Sequence, residues 1–276
     1  MKKIMAVILS LALCFAFVSC GENKAGDAEQ NEQETDDLYA DSDYDFGLEM
    51  TDEFSLSSVL KKCEYTDLIE REDEFKELLR KGLSDSGLSE FEVEDVSLKE
   101  ELDHAMTELQ ADGNPVSDDL IEAYRNIVFV SARESISEDD WDGAAIQIGI
   151  MPSSEDIEEA EEPDDVAAAL LNGKYMHAAE YTGRTYHDPE AADCKKICEE
   201  IQNLTGIKAD PEKLKEAFSE AIETARTEDK IADLTQEITV EGDGYTDNAY
   251  VTVSAYVDEE ELSFGIESCG RSRIYE

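Results

Sequence analysis

Positive charge is scarce in this sequence. Lys and Arg total 23 against 70 Asp and Glu, leaving a net charge of −47 over 276 residues. So acidic a surface repels nucleic-acid phosphates and anionic headgroups, which excludes nucleic-acid binding. It attracts divalent cations, basic peptides or basic protein surfaces. Histidine occurs three times and tryptophan once. No H-E-x-x-H, G-x-S-x-G, G-x-G-x-x-G or phosphate-loop sequence is present, so the familiar metalloprotease, hydrolase and nucleotide sites are unsupported. Carboxylate pairs are everywhere, and no glycosidase-like pair stands out from them. His187 precedes Asp188-Pro189, where Asp188 reads as a helix cap, which leaves His187 as a loop residue.

Long apolar runs are also missing, except at the start. Lys2 and Lys3 precede an apolar stretch from Ile4 to Val18. At about 1.5 Å per residue this stretch falls short of a bilayer core of about 30 Å, which favours a cleaved signal over a permanent span. Phe17-Val18-Ser19-Cys20 resembles the lipobox of bacterial lipoproteins. That resemblance implies cleavage before Cys20 and acylation of its thiol with palmitate-type chains. Two chains suffice for a stable membrane anchor. An ordinary secretory signal is the alternative. Loss of Lys2 and Lys3 takes the charge from −47 to −49. Residues 21–54 hold 13 acids and the single base Lys24. This composition predicts a disordered, self-repelling tether with a reach of about 30 Å.

The remainder carries regular patterns. Helices are expected around 57–83 and 98–111, with an uncertain segment at 117–125 and strands near 126–134 and 144–151. Met151-Pro152 leads into an acidic run, Ser153 to Asp165, that reads as an interdomain linker or else as the acidic N-terminus of the following helix. A helix interrupted near Asn172-Gly173 is expected over 164–182. The next begins at Asp188-Pro189 and bears Cys194, Ile197, Cys198 and Ile201 before Gly206. Asp210-Pro211 opens another, with Leu214, Ala217, Phe218, Ala221, Ile222 and Ala225 on one face. The period then changes to two. Ile238 to Val240, a turn at Gly242 to Gly244, and Tyr250 to Val257 read as a hairpin, followed by a strand over Leu262 to Ile266. Leu98-Lys99-Glu100 matches Leu214-Lys215-Glu216, and a rival register pairs Leu120, Glu122, Ala123 and Tyr124 with Leu214, Glu216, Ala217 and Phe218, so an internal repeat is suggested in two competing registers.

The phrase Ala169-Leu170-Leu171-Asn172-Gly173-Lys174-Tyr175 with Ala178-Ala179-Glu180-Tyr181, then a helix and a hairpin, resembles the cystatin-like or nuclear transport factor two-like domains of lipoproteins from Gram-positive anaerobes. The resemblance covers about residues 164–276. It implies an α+β fold, helices packed on antiparallel sheet, in two small cystatin-like domains. The organisation expected is a signal peptide (1–19), an acidic tether (20–54), an N-terminal α+β domain (55–152), an acidic linker (153–165) and a C-terminal cystatin-like domain (166–276). The implied function is a membrane-anchored, extracytoplasmic, non-enzymatic module that binds a ligand, peptide or protein. The alternatives are an extracytoplasmic enzyme or folding factor with an unrecognised site, and an acidic calcium-binding spacer.

Candidate sites follow from residue type. Cys20 is the lipidation site. Asp41, Asp43 and Asp45 alternate, with Asp52 at the twelfth position of a calcium-like loop. Gly47 sits one place late, and Asp52 replaces the usual glutamate. Among Cys63, Cys194, Cys198 and Cys269, the i,i+4 pair on one helix is too far apart to bridge. They are either small buried residues, or one pairs with Cys269, for which Cys198 is the candidate. Tyr245, Tyr250 and Tyr256 on the final hairpin, with Trp141 in a turn, form a candidate binding surface.

Overall fold

The computed structural model describes residues 39–51, 65–88, 90–111, 116–134, 144–153, 163–228, 230–258 and 261–275. The fold is α+β, with helices packed on one large sheet. In chain order the elements are β1 (Tyr39–Asp43), β2 (Glu49–Met50), a 3-10 turn (Leu68–Arg71), α1 (Glu72–Asp85), β3 (Phe91–Val93), α2 (Leu98–Ala111), α3 (Asp118–Arg125), β4 (Val128–Glu134) and β5 (Ala145–Ser153). Then come α4 (Pro163–Asn172), β6 (Lys174–Thr182), β7 (Thr185–Tyr186), α5 (Cys194–Thr205), β8 (Ile207–Lys208), α6 (Pro211–Glu228), β9 (Ile231–Glu241), β10 (Tyr245–Asp258) and β11 (Glu261–Tyr275).

The main sheet runs β1-β9-β10-β11-β6-β5-β4-β3, with β7 beside β11. Its pairs are antiparallel except β1 with β9. Strands from both sides of the expected linker lie in this one sheet. β5 and β6 pair from Ala145↔Thr182 to Ser153↔Lys174. The two halves therefore share one sheet and one hydrophobic core rather than closing as separate domains.

Cross-strand partners project from the same side of a sheet, so the register defines rows. One inner row is Ala132-Ile146-Tyr181-Cys269-Val251. Each of its members is at most 1 % exposed. A second inner row is Val130-Ile148-Ala179-Arg271-Ala249-Ile238. A third is Val128-Ile150-His177-Arg273-Asp247-Val240. Helix α6 lies on β9 and β10 through the face anticipated from its spacing, with Leu214, Ala217, Phe218, Ala221, Ile222 and Ala225 all buried. Asp210 accepts from the Glu212 amide at its start. Helix α5 ends at Gly206, whose φ of 75° suits glycine at a left-handed C-cap.

Three local expectations are corrected. Lys174–Thr182 is a strand, not the continuation of a helix. Pairing with β5 and β11 on both sides outweighs the helix preference of its alanines. Helix α5 begins at Cys194 behind Asp193, whose carboxylate accepts from the Lys196 amide, while Asp188 caps only a turn at Glu190. Residues 39–51, expected in the tether, are folded. β1 pairs with β9, β2 pairs with β8, and Phe46 is 0 % exposed. The apolar alternation Tyr44, Phe46, Leu48, Met50 is hidden among acids but buries one side of the segment.

Candidate functional site

Lys76, Arg271 and Arg273 are buried. Asp247 accepts from Arg273 Nε at 2.6 Å and from Arg271 Nη2 at 2.7 Å, and all three residues are at most 4 % exposed. Burial opposes ionisation of Asp247, but the hydrogen bonds and charges of the two arginines outweigh it and hold its pKa below the usual range. Arg271 also donates to the Thr51 carbonyl at 2.9 Å, which ties the N-terminal segment to the last strand. The Arg273 guanidinium lies 4.1 Å from the Tyr245 ring centre. On the same face Arg184 makes two 2.6 Å bonds to Glu134 and one of 3.2 Å to Glu200, while Tyr181 donates to Glu200 at 2.8 Å. Lys76 sits between Glu72 and the Val96 carbonyl, and Glu72 in turn accepts the Leu98 amide at the start of α2.

The opposite sheet face is polar. Its central row is Ser131-Gln147-Glu180-Gly270-Tyr250-Glu237. Gly270 lets the Tyr250 ring lie over the backbone, since a Cβ there would stand 2.5 Å from the ring. Tyr250 thereby donates to Glu180 Oε1 at 3.2 Å. Both residues are buried. Burial pushes the Glu180 carboxyl up, against the lowering effect of the Tyr250 bond. Glu267 on the same strand as Gly270 is also raised, by partial loss of solvent and by Asp233, although its side chain is exposed.

Two surface features complete the inventory. A cleft of about 260 Å³ lies between the 3-10 turn, α2 and α3, with Ile69, Leu102, Met106 and Ile121 below and Lys99, Glu70 and Arg125 at the rim. Lys99 and Arg125 share the Glu70 carboxylate at 2.9 and 3.3 Å. At the far side of the molecule, β1 covers β9 only from Ile231 to Thr235, and Thr239, Val240 and Glu241 are exposed.

The sequence candidates disperse in this fold. Asp41 and Asp43 lie in β1, while Asp45 is ion-paired with Lys213 at 2.6 Å, which holds its carboxyl below the usual range. Asp52 lies outside the described residues, and among those described no three His, Cys, Asp or Glu side chains are grouped as a metal would need. Cys194, Cys198 and Cys269 are free thiols, Cys198 and Cys269 buried, so of the two alternatives the Cys198 to Cys269 bond is not formed. Burial pushes Cys198 up to about 12 and raises Cys269 as well. The tyrosines do not form one surface: Tyr250 is buried on Glu180, Tyr245 is half-buried beside Arg273, and Tyr256 is exposed at the other end of β10. Cys20, Cys63 and Trp141 fall outside the described residues. His187 bonds the Leu262 carbonyl at 2.8 Å.

Glu180 and the Asp247 pair with Arg271 and Arg273 escaped the sequence reading. Reading 174–182 as helix concealed that Glu180 alternates with inward-facing Ala179 and Tyr181. The arginines carried a signal, since Arg271-x-Arg273 on one strand faces Asp247 in the hairpin register. Among the described residues no helix is long and apolar enough to cross a membrane. Comparison of the chain with family models, curated proteins and solved structures returns no match.

Proposed function

We propose that this chain is a lipid-anchored, extracytoplasmic binding lipoprotein, acylated at Cys20, that takes a cationic peptide or protein partner and performs no chemistry on it. The observation that supports this most directly is the inward use of arginine. Arg184, Arg271 and Arg273 are paired with Glu134, Glu200 and Asp247 beneath the helices. Acids face solvent as well, as along α6, where Glu212, Glu216, Glu220 and Glu223 are exposed. Such a field speeds encounter with cations and selects against anions.

Two measurements test the reading. Cells fed a palmitate analogue should label the protein, and Cys20→Ala should abolish the label. The soluble chain from residue 21 should bind oligolysine with an affinity that falls steeply with salt, and should not bind oligoglutamate. Equal affinity for both polymers would remove the cationic-partner reading.

A second reading rests on Glu180. A buried carboxyl with a raised pKa beside a tyrosine hydroxyl suits general-acid chemistry on the polar face. Hydrolytic or transferase activity that vanishes in Glu180→Gln while the fold persists would favour this enzyme.

A further inference from the structure

We infer that two adjoining clefts sharing Ile121 and Arg125 form one bipartite site, which takes an aliphatic side chain of the cationic partner in one cleft and a neighbouring Lys or Arg in the other. This rests on the binding reading above and assigns it a place and a preference.

The cavities supply the argument. The cleft of about 260 Å³ between the 3-10 turn, α2 and α3 has an apolar floor, in which Ile69, Leu102 and Met106 are themselves buried. A second cleft, of about 240 Å³, adjoins it at Ile121 and Arg125. Sites that enclose a whole small ligand start at about 300 Å³, and a water takes about 30 Å³. Each cleft is thus sized for one side chain. Every residue that lines them is among the described residues.

Charge sorts the occupants. The first cleft sets Lys99 and Arg125 against Glu70 and Asp103 and has no net charge, so its apolar floor decides what enters. The second sets Asp67, Asp118 and Glu122 against Arg125 alone. That arginine is already engaged, with Nε on Asp67 at 2.7 Å and Nη2 on Glu70 at 3.3 Å. Asp118 and Glu122 are exposed, stand one turn apart on α3 and pair with no cation among the described residues. Like charges at i and i+4 repel, and a cation set between them replaces that repulsion with attraction. An anion finds no such opening, because Lys99 and Arg125 both lie on Glu70.

The acidic cleft is also held in shape. Among the described residues Asp67 is the one non-glycine with a left-handed backbone, at a φ of 50°. Its amide donates to the side chain of buried Asn126 at 2.9 Å, and its carboxylate accepts from Arg125. Backbone fixed in a sparsely populated region recurs at ligand clamps. The two bonds tie the chain before the 3-10 turn to the end of α3, so the acids are in place before a partner arrives.

The test uses the chain from residue 21, which keeps every described residue, and two acetylated peptide amides, Leu-Lys-Leu-Lys-Leu and its equal-charge counterpart Ala-Lys-Ala-Lys-Ala. Thr107→Trp, at an exposed position of α2, fills the apolar cleft, and Glu122→Lys reverses a charge in the acidic one. Glu212→Lys makes the same reversal on α6. We expect the leucine peptide to bind the wild type at least about tenfold more tightly than the alanine peptide, and Thr107→Trp to bring that ratio below about two. Glu122→Lys should weaken both peptides at least about fivefold, and Glu212→Lys less than about twofold. In the wild-type complex the methyl signals of Met106 and Ile121 should shift. Equal weakening by Glu122→Lys and Glu212→Lys, or a leucine preference that survives Thr107→Trp, overturns the bipartite site and leaves the cationic-partner reading standing. Absence of saturable binding by either peptide overturns the site alone where oligolysine binds, and both readings where it does not. Thr107 and Glu122 lie on different helices, so a misfolded variant at one leaves the other to decide.

Discussion

Tyr250 donates a 3.2 Å hydrogen bond to Glu180 across the strand between them, with its ring laid over Gly270. Burial raises the Glu180 pKa, so the folded state disfavours its ionised form. The contribution is fully favourable below the carboxyl's unfolded value and is lost as pH rises through the folded one. Glu180→Gln should therefore gain stability relative to the wild type as pH rises from the carboxyl's unfolded value to its raised folded one, measured as a widening difference in Tm. Tyr250→Phe should lose about 1–3 kcal/mol by leaving the carboxylate without its donor. A Glu180→Gln variant whose deficit grows with pH would refute this account.

Gly270→Ala tests the same arrangement by shape. The new Cβ would fall 2.5 Å from the Tyr250 ring and expel it from the groove. The hydrogen bond to Glu180 goes with it. The loss expected is about 1–3 kcal/mol in denaturant unfolding, and the same substitution in a Tyr250→Ala background should cost much less.

Asp247 pairs with two arginines in the interior. Its lowered pKa means that it stabilises the fold above its unfolded pKa and that this support is lost as pH falls through the folded value. Asp247→Asn removes the carboxylate that two buried guanidinium groups share. About 3–5 kcal/mol of destabilisation should follow in urea, and the acid limb of the stability profile should flatten.

Phe46 lies in an acidic stretch but is fully buried. Its carbonyl accepts the Asp210 amide at 3.0 Å, joining the N-terminal segment to the start of α6. Phe46→Ala should cost about 3–5 kcal/mol by calorimetry, as for a core aromatic. A change within about 0.5 kcal/mol would return this segment to the tether.

Thiol chemistry should follow burial. Cys198 and Cys269 are buried and held protonated, while Cys194 is half-buried. Iodoacetamide with peptide mapping should label Cys194 first, with Cys198 and Cys269 reacting only after unfolding. A native Cys198 to Cys269 crosslink in the same map would contradict the free thiols.

Much of the fold was legible in sequence because single elements carried their own period. The α6 stripe from Leu214 to Ala225, the Asp210 cap, the Gly206 stop and the final hairpin are local patterns, and they stand where the spacing put them. β6 was not legible in this way. Its alanines and central histidine suit either period, and only strands on both flanks make Lys174–Thr182 extended. The candidate sites fared less well, since each rested on spacing within one segment. Asp45 had the right neighbours for a metal loop until Lys213, far along the chain, arrived to pair with it.

The sequence by itself determined the charge, the helical stripes and the period-two hairpin, which all follow from residue order within a few turns of chain. Tertiary structure alone decided which acids are spent and which remain. Asp247 and Glu200 meet arginines across strands and helices, Glu180 is buried through Tyr250 and Gly270, and β1 pairs with β9 as far as Thr235. Those outcomes depend on long-range register, and a chain with 70 acids offers too many equivalent partners for local pattern to select among them.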